Sequence, residues 1–380
     1  MSVVAHLAAR LFDGDRMHHG VALLVQDGRV AGLVPAGAVP RGAARADHGA
    51  ALLAPGFVDL QVNGGDGVML GDAPSVETLA RIAAAHGRLG ATGILPTLIT
   101  DTPQVTRAVV AAAADAVARG VPGVLGLHLE GPHLAPAKKG AHRGDLIRPM
   151  GDADLALILD AAARLPVLMV TVAPEVVTPA QIAAMAAAGV VVSLGHSDAD
   201  YDTCLAAARA GARCVTHLFN AMSQLGSRAP GLVGAALDCA GLDAGLIADG
   251  LHVHPATMAA ALRAKAGAVF LVSDAMAVAG TGLDGFDLHG RRIARAGGRL
   301  TLADGTLAGA DLDMARAVRV VRGCGIPKDR ALAMATSVPA RVAGLDGPGR
   351  LRPGAPADFV ALDAGLHLTG VWRGGVALNR

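Results

Sequence analysis

Residues 123–133 read GVLGLHLEGPH. The run is mostly apolar up to Leu129, meets a glutamate, and turns at once through Gly131-Pro132. A short apolar run suits a buried strand, yet a carboxylate without a partner is costly to bury. Glu130 therefore belongs either to an ordinary polar loop or to the rim of a site. How the other apolar runs end decides between them.

Seven further runs of this kind follow one another along the chain: LLAPGFVDLQVN, ATGILPTLIT, PVLMVTVAPE, GVVVSLGHSD, ARCVTHLFNA, DAGLIADGLH and AVFLVSDAMA. The pieces between them, such as SVETLARIAAAHGRLG and TPAQIAAMAAAG, have helical length, Ser or Thr starts and glycine stops. Strict alternation of strand and helix predicts a parallel sheet, and eight units predict a closed (β/α)8 barrel of the TIM type.

Six of the eight runs end in a metal-binding group, an acid–base group or a carboxamide: Gln61 and Asn63, Glu130, His196, His217 with Asn220, Asp249 with His252, and Asp274. The C-terminal ends of barrel strands are where this fold builds active sites. Glu130, His196 and His217 offer one carboxylate and two imidazoles, a set that suits Zn²⁺ or Fe²⁺ and leaves a coordination position for water. Asp274 is then free to take a proton from that water and pass it to the leaving nitrogen. Asp198 and Asp200, in GHSDADYD, read as helix caps.

The flanks differ. LLVQDGRVAGLVPAG near the start reads as a hairpin around Asp27-Gly28, and DFVALDAGLHLTGVWRGGVAL near the end again shows short strands with turn residues. The expected organisation is a small β-sandwich-like domain from residues 1–54 and 346–380 beside a barrel spanning 55–345.

Composition excludes other classes. The chain has 380 residues, 52% of them apolar and 17% charged, with 50 glycines, as expected of a packed α/β protein. A net charge of +1 with no basic block speaks against nucleic acid and anionic membranes as partners. One Trp, one Tyr and six Phe leave little for a base-stacking surface. Four cysteines form no CxxC pair, and the N-terminus lacks the features of a secretion signal, so a cytoplasmic setting is expected.

FVDLQVNGG, LHLEGPH, KKGAHR, SLGHSDA, THLFNAM, ADGLHV and LVSDAM together resemble the N-acetylglucosamine-6-phosphate deacetylases of the amidohydrolase superfamily, from about Pro55 to Gly309. LEGPH, GAHR and THLFNAM carry the specificity of that match. The resemblance implies a metal-dependent hydrolase barrel acting on a small amino-sugar phosphate, working as a homo-oligomer, expected to be a dimer. It implies Glu130, His196 and His217 as ligands of one divalent ion, Zn²⁺ first and Fe²⁺ as the alternative. It implies Asp274 as the catalytic aspartate and His142 as the group that polarises the amide carbonyl. Asn220, Ala221, Arg228, His252, the main chain of Ala141 and the Leu307–Ala308 turn are implied as sugar-phosphate contacts. Lys138 and Lys139 read as solvated loop charges.

Where the wider superfamily ends its first barrel strand in His-x-His, this chain has Gln61-Val62-Asn63, a pattern that some deacetylases share. Carboxamides are weak metal ligands, so Gln61 and Asn63 are a secondary site at most and one ion is expected. Cyclic-amide hydrolysis, as in dihydroorotases, calls for a carboxylated lysine ending the fourth strand, and PVLMVTVAPE holds none. Deacetylation of another N-acetylhexosamine phosphate, such as the galactosamine epimer, stays open. A catalytically inactive scaffold barrel would typically have lost a ligand or the aspartate, and all are present.

Overall fold

The computed structural model describes residues 3–379. Eight parallel strands form one sheet in sequential order: Phe57–Val62, Ala91–Ile99, Leu127–Glu130, Leu168–Val172, Val191–Leu194, Cys214–Val215, Asp243–Ile247 and Val269–Val272. A parallel bridge from Val62 to Ala275, with Asp274 N–H donating to the Gln61 carbonyl, brings the last strand back to the first. The eight expected strands are all present, and the chain is a (β/α)8 barrel.

The helices begin where the sequence says. Ser75 caps Val76–Arg88 by accepting from Thr78 N–H, and Thr178 caps Pro179–Ala187 in a reciprocal box with Gln181. Asp200 caps Tyr201–Ala210. Asp198 does not cap. Its N–H donates to Glu175, and its carboxylate pairs with Lys138 at 3.1 Å.

LLAPGFVDLQVN, read as a single strand, is two. Leu52–Pro55 joins a terminal sheet and Phe57–Val62 enters the barrel, with Gly56 between them. A Cβ at Gly56 would lie 2.0 Å from Thr92 Oγ1, so only glycine lets the chain pass this close.

The two ends of the chain meet as expected. Phe359–Leu362 pairs antiparallel with Leu52–Pro55 inside a six-stranded sheet that also holds Arg10–Phe12. A four-stranded sheet built on Val4–Leu7 and Val21–Gln26 packs with it around Leu11, Leu23, Leu53 and Phe359.

A four-stranded antiparallel insert is not among the expected elements. Gly285–Leu288, Arg291–Ala296, Arg299–Thr301 and Leu307–Ala310 form four strands between the eighth barrel strand and the helix Met314–Gly323. Apolar and polar residues alternate along it. Phe286, Leu288, Ile293 and Leu300 turn inward onto Met69, Ile99 and Met276 at the barrel mouth. Leu307 and Ala308, expected in a turn, therefore lie in a strand of this insert.

Candidate active site

Glu130 ends the third barrel strand, and His196 and His217 follow the fifth and sixth within two residues. Their side-chain atoms converge. Glu130 Oε1 stands 3.2 Å from His196 Nε2 and 3.1 Å from His217 Nε2, and the two imidazole nitrogens are 3.1 Å apart. All three residues are buried. Burial works against charge on Glu130, but the imidazoles of His196 and His217 beside it hold its carboxyl well below the ordinary range. Burial likewise opposes charge on His217, and Glu130 beside it raises it nonetheless.

The donor chemistry of this triangle fits a cation. His196 Nδ1 lies 2.8 Å from the Lys138 carbonyl, so its proton sits on that side and Nε2 points a lone pair at its neighbours. One proton at most, that of His217, then separates three electron-rich atoms. His142 also falls within 4.8 Å of Glu130 and His196. It cannot serve as a ligand in this tautomer, because Thr100 N–H donates to its Nδ1 at 3.2 Å. Nδ1 is the acceptor, and Nε2 carries the proton, facing Glu130 Oε2 at 3.8 Å. Burial, then the neighbouring His196, pushes His142 down to about 3, so the ring is neutral and donates into the cavity.

Asp274 follows the eighth strand by two residues. Its Oδ1 accepts from Asn63 Nδ2 at 2.7 Å and from Gln61 Nε2 at 3.2 Å, and Gln61 Nε2 also lies 3.1 Å from Glu130 Oε1. Both carboxamides thus turn their NH₂ groups toward carboxylates. Burial, then the Glu130 charge, pushes the Asp274 carboxyl up to about 6.

The backbone at this rim is unusual. Of nine non-glycine residues with left-handed φ among those described, five stand here: His196, His217, Phe219, Ala221 and Asp274. Such conformations cost about 1–3 kcal/mol each and persist only where surrounding structure enforces them. They cluster where side chains must be re-aimed inward at the end of a strand.

These groups line a cavity of about 370 Å³ together with Asn63, Lys138, Ala141, Asn220, Ala221, His252 and Leu307. His252 is held by Asp249, whose Oδ2 faces its Nδ1 at 2.7 Å, so Nε2 is free to act. Ala308 lies beneath, in the apolar contact between insert and barrel. Arg228 is exposed and borders a neighbouring depression with Asp198, Asp200 and Asp202, outside the cavity lining. Lys138, expected as a solvated charge, lines the cavity. Two contributors carry no signal in their residue types. Thr100 sets the tautomer of His142, and Arg291, from the insert, donates to the Ala141 carbonyl.

Residues 52–377 match the amidohydrolase family. The chain belongs to that family. This amidohydrolase is 42% identical over 328 residues to the N-acetylgalactosamine-6-phosphate deacetylase of Shewanella sp. (strain ANA-3), covering 86% of this chain and 83% of that one. It is 38% identical over 351 residues to the human N-acetylglucosamine-6-phosphate deacetylase, covering 87% and 84%. Its fold superposes on the crystal structure of N-acetylglucosamine-6-phosphate deacetylase from Pasteurella multocida with a TM-score of 0.95, at 33% identity and full coverage of both chains.

Proposed function

We propose that this amidohydrolase removes the N-acetyl group of N-acetylglucosamine 6-phosphate, releasing acetate and glucosamine 6-phosphate. The observation that carries the reading is the convergence of two kinds of group in one cavity. The Glu130–His196–His217 triangle and the His142 N–H share it with Asp274, whose carboxyl is raised to about 6 and which one Gln61 amide links to Glu130. That arrangement can bind an amide carbonyl, stabilise the oxyanion that forms on it and move a proton to nitrogen.

Glu130, His196 and His217 would hold one divalent ion, with Zn²⁺ suiting the two imidazoles and one carboxylate best and Fe²⁺ as the alternative. When bound, such an ion lowers the pKa of water and polarises a carbonyl. His142 Nε2–H donates to the acetamide oxygen as negative charge develops there. Asp274 takes the proton of the attacking water and returns it to the amine nitrogen as the C–N bond breaks. Gln61 and Asn63 keep the Asp274 carboxylate aimed and act as donors, which supports one ion rather than two.

His252, Asn220 and Ala221 line the cavity and are assigned to the sugar phosphate, together with the Ala141 main chain and the Leu307–Ala308 strand. Arg228 is assigned to the phosphate because guanidinium matches its oxygens. Arg228→Ala is then expected to lower kcat/KM for the 6-phosphate sugar by about 2–4 kcal/mol in transition-state stabilisation. Activity on the unphosphorylated sugar should barely change. Equal losses on both would remove Arg228 from phosphate recognition.

The residue divisions 1–54 with 346–380, and 55–345, a dimeric assembly, and a reducing cytoplasm that suits four unpaired cysteines belong to the same proposal. The galactosamine epimer is the second reading, because the Shewanella relative is named for that substrate. Acetate release from both epimers, each with and without the phosphate, tests the assignment. The expected order places N-acetylglucosamine 6-phosphate first, and faster turnover of the galactosamine epimer would reassign the substrate.

A further inference from the structure

Directly below the ligand triangle the barrel interior is polar. His128 lies two residues before Glu130 on the same strand and is fully buried. Its Nε2 is 2.8 Å from Thr171 Oγ1; Thr171 Oγ1 is 2.7 Å from Thr216 Oγ1; and Thr216 Oγ1 is 2.7 Å from Ser193 Oγ. On the remaining side Thr97 Oγ1 stands 3.4 Å from His128 Nδ1 and accepts from Val62 N–H. The chain of contacts therefore touches six successive strands, first to sixth, and each of these side chains has a partner.

Barrel interiors are ordinarily filled by layers of Val, Ile and Leu. A polar layer gives no stability advantage over an apolar one of the same shape, and it demands fixed geometry from every member. Its position says what the geometry serves. Thr171 is the register partner of Glu130, Thr216 immediately precedes His217, and Ser193 is on the strand that leads into His196. His196 and His217 hold left-handed backbone, which needs enforcement from below.

We propose that His128 is a positioning residue, the hub of a hydrogen-bonded layer that fixes Glu130, His196 and His217 in the spacing a single divalent ion requires. The inference rests on the metal reading of that triangle. His128 touches neither substrate nor ion. It acts by tying the third strand to its neighbours through Thr97 and Thr171, so that the ligand-bearing strand ends cannot shift independently.

The test is Zn²⁺ affinity, measured by chelator competition on the full chain for wild type, His128→Phe, His128→Gln and Thr171→Val. His128→Phe keeps a planar ring and loses the bonds. Thr171→Val breaks the chain at its centre with almost no change of shape, and serves if the Phe variant does not fold. Each is expected to weaken Zn²⁺ binding about 10–100-fold, the usual scale for groups that orient metal ligands. His128→Gln, whose amide reaches toward Thr171, is expected to recover part of the loss. Losses in the two breaking variants should be non-additive when combined, because they interrupt one chain. Phe and Val variants that bind Zn²⁺ within twofold of wild type, whatever their melting temperatures, overturn the inference and leave the metal site intact. A wild type that binds no Zn²⁺ overturns both readings.

Discussion

At Asp274 two amide donors converge on one carboxylate oxygen while the whole group is buried. Burial and Glu130 raise its folded pKa to about 6 from an ordinary value of 3.8. The folded protein therefore binds more protons here than the unfolded chain between those values, and the cost of the buried charge is fully present above about pH 6. In metal-free protein, Asp274→Asn should raise stability at pH 8 by up to about 3 kcal/mol, and the gain should vanish as pH falls toward 4. Urea unfolding at the two pH values reads this directly, and a gain that does not depend on pH would mean that Asp274 is not the buried charge. The same variant should retain its ion yet lose about 10²–10⁴-fold in kcat, the scale of lost acid–base catalysis. A fully metallated variant with near-normal turnover would remove Asp274 from proton transfer. His142→Phe should cost about 10²–10³-fold in kcat, as for an oxyanion donor, with KM little altered. A rise in KM alone would make His142 a binding group.

At the scale of elements, the eight strands and their helices were legible because two periodicities alternate along the chain and Ser75, Thr178 and Asp200 punctuate them. Glu130, His196, His217 and Asp274 were legible as a group because charged and ring-bearing residues are rare at the ends of buried strands. Thr100 was not, since a hydroxyl at the end of the second strand looks like any other threonine, and its role exists only through its contact with His142. The insert was missed although His289-Gly290 and Gly297-Gly298 are hairpin signals, because eight units already complete a barrel. Gly56 hid the break between two strands, since a glycine inside an apolar run does not announce which neighbour crowds it. Gly56→Ala should destabilise the fold by about 1–3 kcal/mol through overpacking against Thr92, read from the denaturant midpoint. Arg291→Ala, which frees the Ala141 carbonyl from the insert, should raise KM about tenfold, the worth of one charged hydrogen bond. Unchanged KM would show that the insert holds its place without that contact.

Across the whole molecule, the two chain ends close one β-domain through the pairing of Leu52–Pro55 with Phe359–Leu362, and the strand that leaves this domain becomes the first strand of the barrel. That strand ends at Gln61 and Asn63, so the β-domain and the proton-transfer side of the cavity share one continuous backbone. The insert covers the mouth from the other direction, and the polar layer around His128 underlies it. All three border the cavity that holds the Glu130–His196–His217 triangle. Elemental analysis of the purified wild type beside Glu130→Gln is the most direct measurement of the central claim. One tightly held divalent ion per chain in the wild type, and almost none in the variant, is the expected result. Two tightly held ions per chain, or full metal content in Glu130→Gln, would contradict it.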